Sequence, residues 1–204
     1  MNTLRQRWLD DWSKLGLAGD MAWLERVLAA YAEAGRHYHT QQHLAECRAL
    51  FDEVACLAQH PGEVAIALWF HDAVYVPQAK DNEGRSAEWA AAALRDAGAG
   101  EAAIARVHAL VMATAHHAAT GDGDTQLVVD IDLAILGAPP ARFAQYGQQV
   151  RAEYANVPDA VYQVKRRAVL ASFLARPDLY ATPALHASLE HQARRNLQGA
   201  IEVS

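Results

Sequence analysis

In the stretch ALWFHDAVY, residues 67–75, a histidine and an aspartate stand side by side among apolar residues. Both are costly to bury, because a carboxylate taken out of water must be protonated, hydrogen-bonded or bound to a cation. His71 and Asp72 are not alone in this. RHYHTQQH supplies His37, His39 and His43, the last two one helical turn apart, and TAHH supplies His116 and His117. VVDIDLAIL carries Asp130 and Asp132 inside an otherwise apolar segment. The ten histidines of the 204-residue chain therefore cluster, and four regions place a histidine or carboxylate where the pattern asks for a hydrophobic side chain. Mixed imidazole and carboxylate donors suit Mn²⁺, Fe²⁺, Co²⁺ or Ni²⁺, whereas a site without cysteine does not favour soft metals. Two buried aspartates bound to one dication are neutral as a group. Histidine and aspartate in direct succession can both reach one ion at a helix end, and the second carboxylate oxygen can bridge to another. Each residue alone has a blander reading, as a hydrogen-bonded core histidine or a capping aspartate. The set of four regions points to a metal site.

The elements that must carry these residues read as helices throughout, in a chain rich in alanine, leucine, glutamate, glutamine and arginine. TLRQRWLDDWSKLGL places Leu4, Trp8, Leu9, Trp12 and Leu15 on one face. A second helix is expected over residues 20–34, ending at Gly35. A third follows Thr40 and presents His43, Leu44, Cys47, Leu50, Phe51 and Val54 at three- and four-residue steps. Pro61 opens the helix that ends in WFHDAVY, as proline suits a first turn. Asp81 or Asn82 is a candidate N-cap for EGRSAEWAAAALRDAG. QLVVDIDLAILG has the β-branched residues of a strand, but its neighbours are helical and nothing is left to pair with it, so it reads as a short buried helix. Three more helices begin near Pro139, Pro158 and Pro183. The expectation is a single all-α domain of nine to ten helices over residues 1–204, with N-terminal helices (1–35) packed on a metal-site core (36–137) and C-terminal helices (138–204).

Bulk properties narrow the function. A composition 52% hydrophobic and 21% charged suits a globular core. The net charge of −6 argues against a nucleic-acid polymer as partner, which needs a basic stripe. Lys165-Arg166-Arg167 remains a possible anchor for one phosphate, or simply a solvated helix face. No apolar run is long enough to span a membrane and the N-terminus has no secretory signal pattern. Cys47 and Cys56 lie nine residues apart on a helical pattern, roughly 13 Å at about 1.5 Å per residue, too far to bridge. Two such thiols point to the cytoplasm.

These motifs resemble the HD-domain superfamily of metal-dependent phosphohydrolases, in which a histidine, a His-Asp pair and a later aspartate occur in that order. The resemblance covers nearly the whole chain. It is strongest to a little-characterised bacterial family of HD phosphohydrolases, through RHYHTQQH, ALWFHDAVY, DNEGRSA, DIDLAILG, VRAEY, FLARPDLY and ARRNL. It implies His43, His71, Asp72 and Asp132 as metal ligands, with His39 the alternative to His43 and Asp130 the alternative to Asp132. Cyclic-nucleotide phosphodiesterases carry a similar tyrosine-histidine stretch, and by that comparison His39 is the acid that protonates the leaving group. Binuclear members place extra histidines between the His-Asp pair and the last aspartate, so His116 and His117 are ligands or substrate contacts and the ion count is one or two. By analogy with related nucleotidases Glu83, in DNEGRSA, is the candidate general base. Arg36 is a candidate phosphate contact, while Arg151, Glu153 and Tyr154 belong to the motif without an assigned role.

The activity so implied is hydrolysis of a small phosphate ester, a nucleotide or phosphorylated metabolite, by water activated at a divalent ion (Mn, Fe, Co, Ni, Mg or Zn) and oriented by Asp72 or Glu83. Two other readings stand beside it: di-iron oxygen activation using His116 or His117, and a metal- or nucleotide-binding module without turnover. The N-terminal region with Trp8, Trp12 and Trp23 can pack on the domain or on a second copy in a homodimer; packing on the domain is the expectation.

Overall fold

The computed structural model describes residues 2–115 and 123–203. Among them are ten α-helices and no strand: α1 (Asn2–Ser13), α2 (Met21–Ala30), α3 (Gln41–Val54), α4 (Pro61–Phe70), α5 (Asn82–Asp96), α6 (Glu101–Ala113), α7 (Gly123–Asp132), α8 (Pro140–Glu153), α9 (Asp159–Leu174) and α10 (Pro183–Val203). Short 3-10 turns follow α3 (Ala55–Leu57) and α7 (Leu133–Gly137). The all-helical reading and the number of helices agree with the sequence pattern.

Helix α4 is the axis of the structure. Pro61 occupies its first turn, and residues 62–70 are all buried, so the helix has no solvent face. A helix apolar on every side has to be surrounded. Here α1, α3, α5, α6 and α7 all pack on it. Its C-terminus therefore delivers His71 and Asp72 to the middle of the bundle.

Helix α1 lies on α4 through fully buried Trp8 and Trp12. The Trp8 ring stands edge-on to Trp69 at 5.3 Å and lies 5.9 Å from Phe70. Beneath them Asp11 is buried; it accepts the Trp69 indole N–H at 2.9 Å and forms an ion pair with Arg48 at 2.7 Å. Gly19 closes the same corner, since a Cβ there would sit 2.4 Å from the Trp12 ring. Leu9, expected on the packed face, is 39% exposed, because the tryptophans of neighbouring turns define that face.

Helix α2 is shorter than its pattern suggests. It stops at Ala30, where fully buried Tyr31 turns inward and its hydroxyl accepts the Asp72 N–H. The segment QLVVDIDLAILG is helical, as α7 and its 3-10 turn. That turn runs against α10 at backbone distance: a Cβ on Gly137 would lie 2.7 Å from Leu189 Cβ and 2.9 Å from its carbonyl oxygen. Asn196 of α10 donates to the carbonyls of Leu136 and Ala138, both at 2.8 Å. No described helix is long and apolar enough to cross a membrane.

Candidate metal centre

Three helix ends meet beside α4. Thr40 caps α3 by accepting the Gln42 N–H, which sets His43 in the first turn. His71 and Asp72 follow the last turn of α4, and Asp132 ends α7. Their donor atoms converge. His43 Nε2 lies 3.0 Å from His71 Nε2, 3.4 Å from Asp72 Oδ2 and 3.2 Å from Asp132 Oδ1. His71 Nε2 lies 3.2 Å from Asp72 Oδ2 and 3.6 Å from Asp132 Oδ1. The imidazoles are sealed, while the Asp72 and Asp132 side chains keep 16% and 12% of their exposure.

This donor set fits a divalent ion. Ligand atoms at about 2.1 Å from one ion are ~3.0 Å apart at a right angle and ~3.4 Å apart at a tetrahedral angle. The observed separations span that range. His71 Nδ1 lies 2.9 Å from the Leu68 carbonyl, to which it donates, and this leaves the Nε2 lone pair for the centre. Burial opposes charge on His71, yet the neighbouring Asp72 carboxylate lifts it to about 9 when only protons compete for the site. His43 is also raised against its burial, chiefly by Cys47 and Tyr38 and by the hydrogen bonds it gives to Asp132 and Asp72. Burial would raise Asp72, but His71 and His39 and the hydrogen bonds from both buried histidines hold it well below the carboxylate range. Asp72 is thus ionised, and the imidazoles attract whatever cation, proton or metal, is present.

A cavity of about 270 Å³ opens over the two aspartates, lined by Tyr38, His39, Tyr75, Glu83, Tyr146, Tyr154 and Arg166 among others. His39 is held on its rim by Glu153, which ends α8. One Glu153 oxygen accepts the backbone N–H groups of His37, Tyr38 and His39 at 2.8–2.9 Å. The other lies 2.8 Å from His39 Nδ1 and accepts the Tyr75 hydroxyl at 3.0 Å. Burial disfavours the Glu153 charge, but the His39 contacts and these N–H groups outweigh it and bring the carboxyl down to about 2. An ionised carboxylate only accepts, so the proton sits on His39 Nδ1 and Nε2 remains for chemistry. Tyr75 stacks on the His39 ring at 4.0 Å.

The motif DNEGRSA works through side chains that pin the loop after the His-Asp pair. Asn82 exchanges hydrogen bonds with the N–H and C=O of Val76, and Ser86 does the same with Val74. Asp81 stands at the N-cap but makes no side-chain cap bond. Glu83, between the two pins, faces the cavity.

Other sequence candidates fall elsewhere. Asp130 is fully buried and accepts the N–H groups of Ala181 and Thr182, which ties α7 to the start of α10; it is a structural pin, and Asp132 is the aspartate at the centre. Arg36 does not line the cavity. Its guanidinium donates to the carbonyls of His39, Asp72 and Ala73, bracing the His-Asp turn from beneath. His37 is exposed. His116 and His117 lie outside the described residues. Arg151 pairs with Asp159.

Two residues carry more than their sequence signal gave them. Glu153 sits at a position that completes the buried face of Tyr146 and Val150 on α8, and a carboxylate there is the one cue the sequence offered. Cys47, one turn after His43, puts Sγ 3.7 Å from His43 Nδ1, and its sulfur groups with His43, His71 and Asp132 within 4.8 Å. The site is therefore not free of cysteine, and zinc is as compatible with it as the harder ions. A second group, Asp178, His186 and Glu190, is more exposed; its Glu190 is committed to the Leu179 and Tyr180 N–H groups and to Arg194. Compared with known proteins, the chain matches no family model, no curated protein and no solved structure.

Proposed function

We propose that the protein is a metal-dependent phosphoric ester hydrolase acting on a small phosphorylated molecule. The observation that carries this reading is the convergence of His43, His71, Asp72 and Asp132 at the floor of a cavity with the two carboxylates facing it. The order His, His-Asp, Asp is that of the HD superfamily, which the chain resembles in motif. A divalent ion held by these four side chains supplies Lewis-acid polarisation of a phosphoryl oxygen and acidifies water.

The chain's own groups do the remainder. Asp72 orients the attacking water, and Glu83 takes its proton as the new oxygen–phosphorus bond forms. The ester P–O bond breaks on the opposite side, and the leaving oxygen takes the Nε2 proton of the doubly protonated His39 ring, which is left as the neutral Nδ1–H tautomer. Glu153, by fixing the Nδ1 proton of His39, keeps Nε2 as the donor. Solvent exchange resets Glu83 and His39. Such catalysis rests on positioning and electrostatics. The cavity volume suits a ligand of mononucleotide or sugar-phosphate size.

The test is phosphate release from a panel of nucleotides and sugar phosphates with Mn²⁺, Co²⁺, Ni²⁺, Zn²⁺ and Mg²⁺. Release that requires metal and is lost in Asp72→Ala supports the reading. No release from any compound, with two irons bound per chain, would favour oxygen chemistry instead; no release and no bound metal would remove the site altogether.

A further inference from the structure

The cavity has a cationic wall that the chemistry above leaves unused. Arg166 of α9 lines it together with Asp72, Asp132, Glu83 and Tyr38. Nearby arginines such as Arg142 and Arg151 of α8 are paired with carboxylates, Glu46 and Asp159, as is Arg194 of α10 with Glu190. Arg166 pairs with no carboxylate among the described residues and lies instead against the Tyr146 ring, 4.8 Å from its centroid. Beside the same ring, at 4.6 Å, stands Tyr38, 5% exposed. Its buried hydroxyl has no hydrogen-bond partner among the described residues. Buried hydroxyls are rarely left unpaired, because the lost hydration is not recovered. A guanidinium with no carboxylate partner, set against Tyr146, and an unpaired hydroxyl thus share one wall of a cavity whose floor carries two carboxylates.

We propose that Arg166 and the Tyr38 hydroxyl form the anchor for the substrate's phosphate and make the site selective for phosphate monoesters over diesters. This rests on the phosphohydrolase reading above. A divalent ion balances the two floor aspartates but leaves Glu83, so an arriving monoester dianion needs a further cation. The Arg166 fork matches two phosphate oxygens at once and cannot lose its charge. A diester has one charge and one free oxygen fewer, so it gains less from the same pair of donors. The aromatic wall holds the fork in place before binding, which lowers the ordering cost.

Binding to the Mn²⁺-loaded protein tests this without turnover, using inorganic phosphate and dimethyl phosphate as probes for the two classes. Wild-type protein is expected to bind phosphate at least about 10-fold tighter than dimethyl phosphate, the range of one charge-assisted contact pair. Arg166→Met keeps the stem volume and should weaken phosphate binding about 10- to 100-fold while dimethyl phosphate changes little and Mn²⁺ affinity stays the same. Arg166→Lys should restore part of the loss. Tyr38→Phe should weaken phosphate binding several-fold while leaving the ligand-free protein at least as stable, since it removes an unpaired buried hydroxyl. If esters are hydrolysed but Arg166→Met and Arg166→Lys bind phosphate as the wild type does, or lose both probes equally, the anchor is refuted and the hydrolase reading stands. If the metal-loaded wild type neither binds phosphate nor releases it from the ester panel, the hydrolase reading falls and the anchor with it.

Discussion

Glu153 is the residue on which the rim of the centre depends. Its carboxylate gathers three backbone N–H groups, the His39 ring and the Tyr75 hydroxyl. Glu153→Gln keeps the shape but has one acceptor oxygen, so with that oxygen on the backbone N–H groups its NH₂ donor faces His39 Nδ1 and the ring loses its fixed tautomer. The expected result is a kcat lowered by about 10²-fold or more with metal content unchanged, the scale of a misplaced general acid. The same residue predicts a pH dependence. Its folded pKa is depressed from 4.5 to about 2, so the stability it contributes is present above about 4.5 and lost as the pH falls towards about 2. By linkage this amounts to on the order of 3 kcal/mol. Urea midpoints of wild type and Glu153→Gln should therefore differ near neutral pH and converge between pH 4.5 and 2; a constant difference across that interval would contradict it. Beyond a carboxylate on a buried helix face, little of this was legible in the sequence, because Glu153 meets residues 78 to 116 positions earlier. The motif resemblance favoured Asp132 over Asp130, but periodicity could not separate two aspartates on one short helix; the packed neighbours show that Asp130 faces α10 and Asp132 faces α3 and α4.

At the scale of elements, the centre is a junction of helix ends held by struts. Arg36 braces the His-Asp turn through the carbonyls of Asp72 and Ala73. Arg36→Met would leave these acceptors unpaired, costing on the order of 3 kcal/mol, and would lower metal affinity about 10- to 100-fold, as loss of a supporting contact does. Isothermal metal titration checks this, and unchanged affinity would show that the turn holds itself. Gly137 acts on the other side, where α10 presses the 3-10 turn that follows Asp132. Gly137→Ala forces a Cβ to within 2.7 Å of Leu189 Cβ and should cost about 1–3 kcal/mol in thermal or chemical denaturation. The helices themselves were readable from their period and their prolines, since Pro61, Pro140 and Pro183 all stand in first turns and Pro158 just before one. What period could not give was the end of α2, which Tyr31 terminates by a contact with a residue forty positions away. Nor could it give the use of Arg36, since an arginine beside histidines reads equally as a ligand contact or a strut.

Across the whole molecule, the buried helix α4 explains why ionisable residues stand at apolar positions. The bundle that covers α4 also brings the start of α3 and the ends of α4 and α7 to one point, and a cation bound there would offset the cost of the charges gathered. Because the site forms only in the folded chain, a metal bound there is expected to stabilise the fold. At 100 times the dissociation constant the gain is about 2.7 kcal/mol, which for a chain of this size raises Tm by roughly 5–10 °C. Asp132→Ala should abolish that shift, and a shift retained in the variant would place the ion elsewhere. The most direct measurement of the central claim is a titration of chelator-stripped protein with Mn²⁺ in which bound ion and phosphate-release rate are read from the same samples. The rate should rise in proportion to occupancy of at least one ion per chain, and Asp72→Ala should show neither binding nor release. Hydrolysis that is independent of occupancy, or full occupancy without hydrolysis of any phosphate ester, would contradict it.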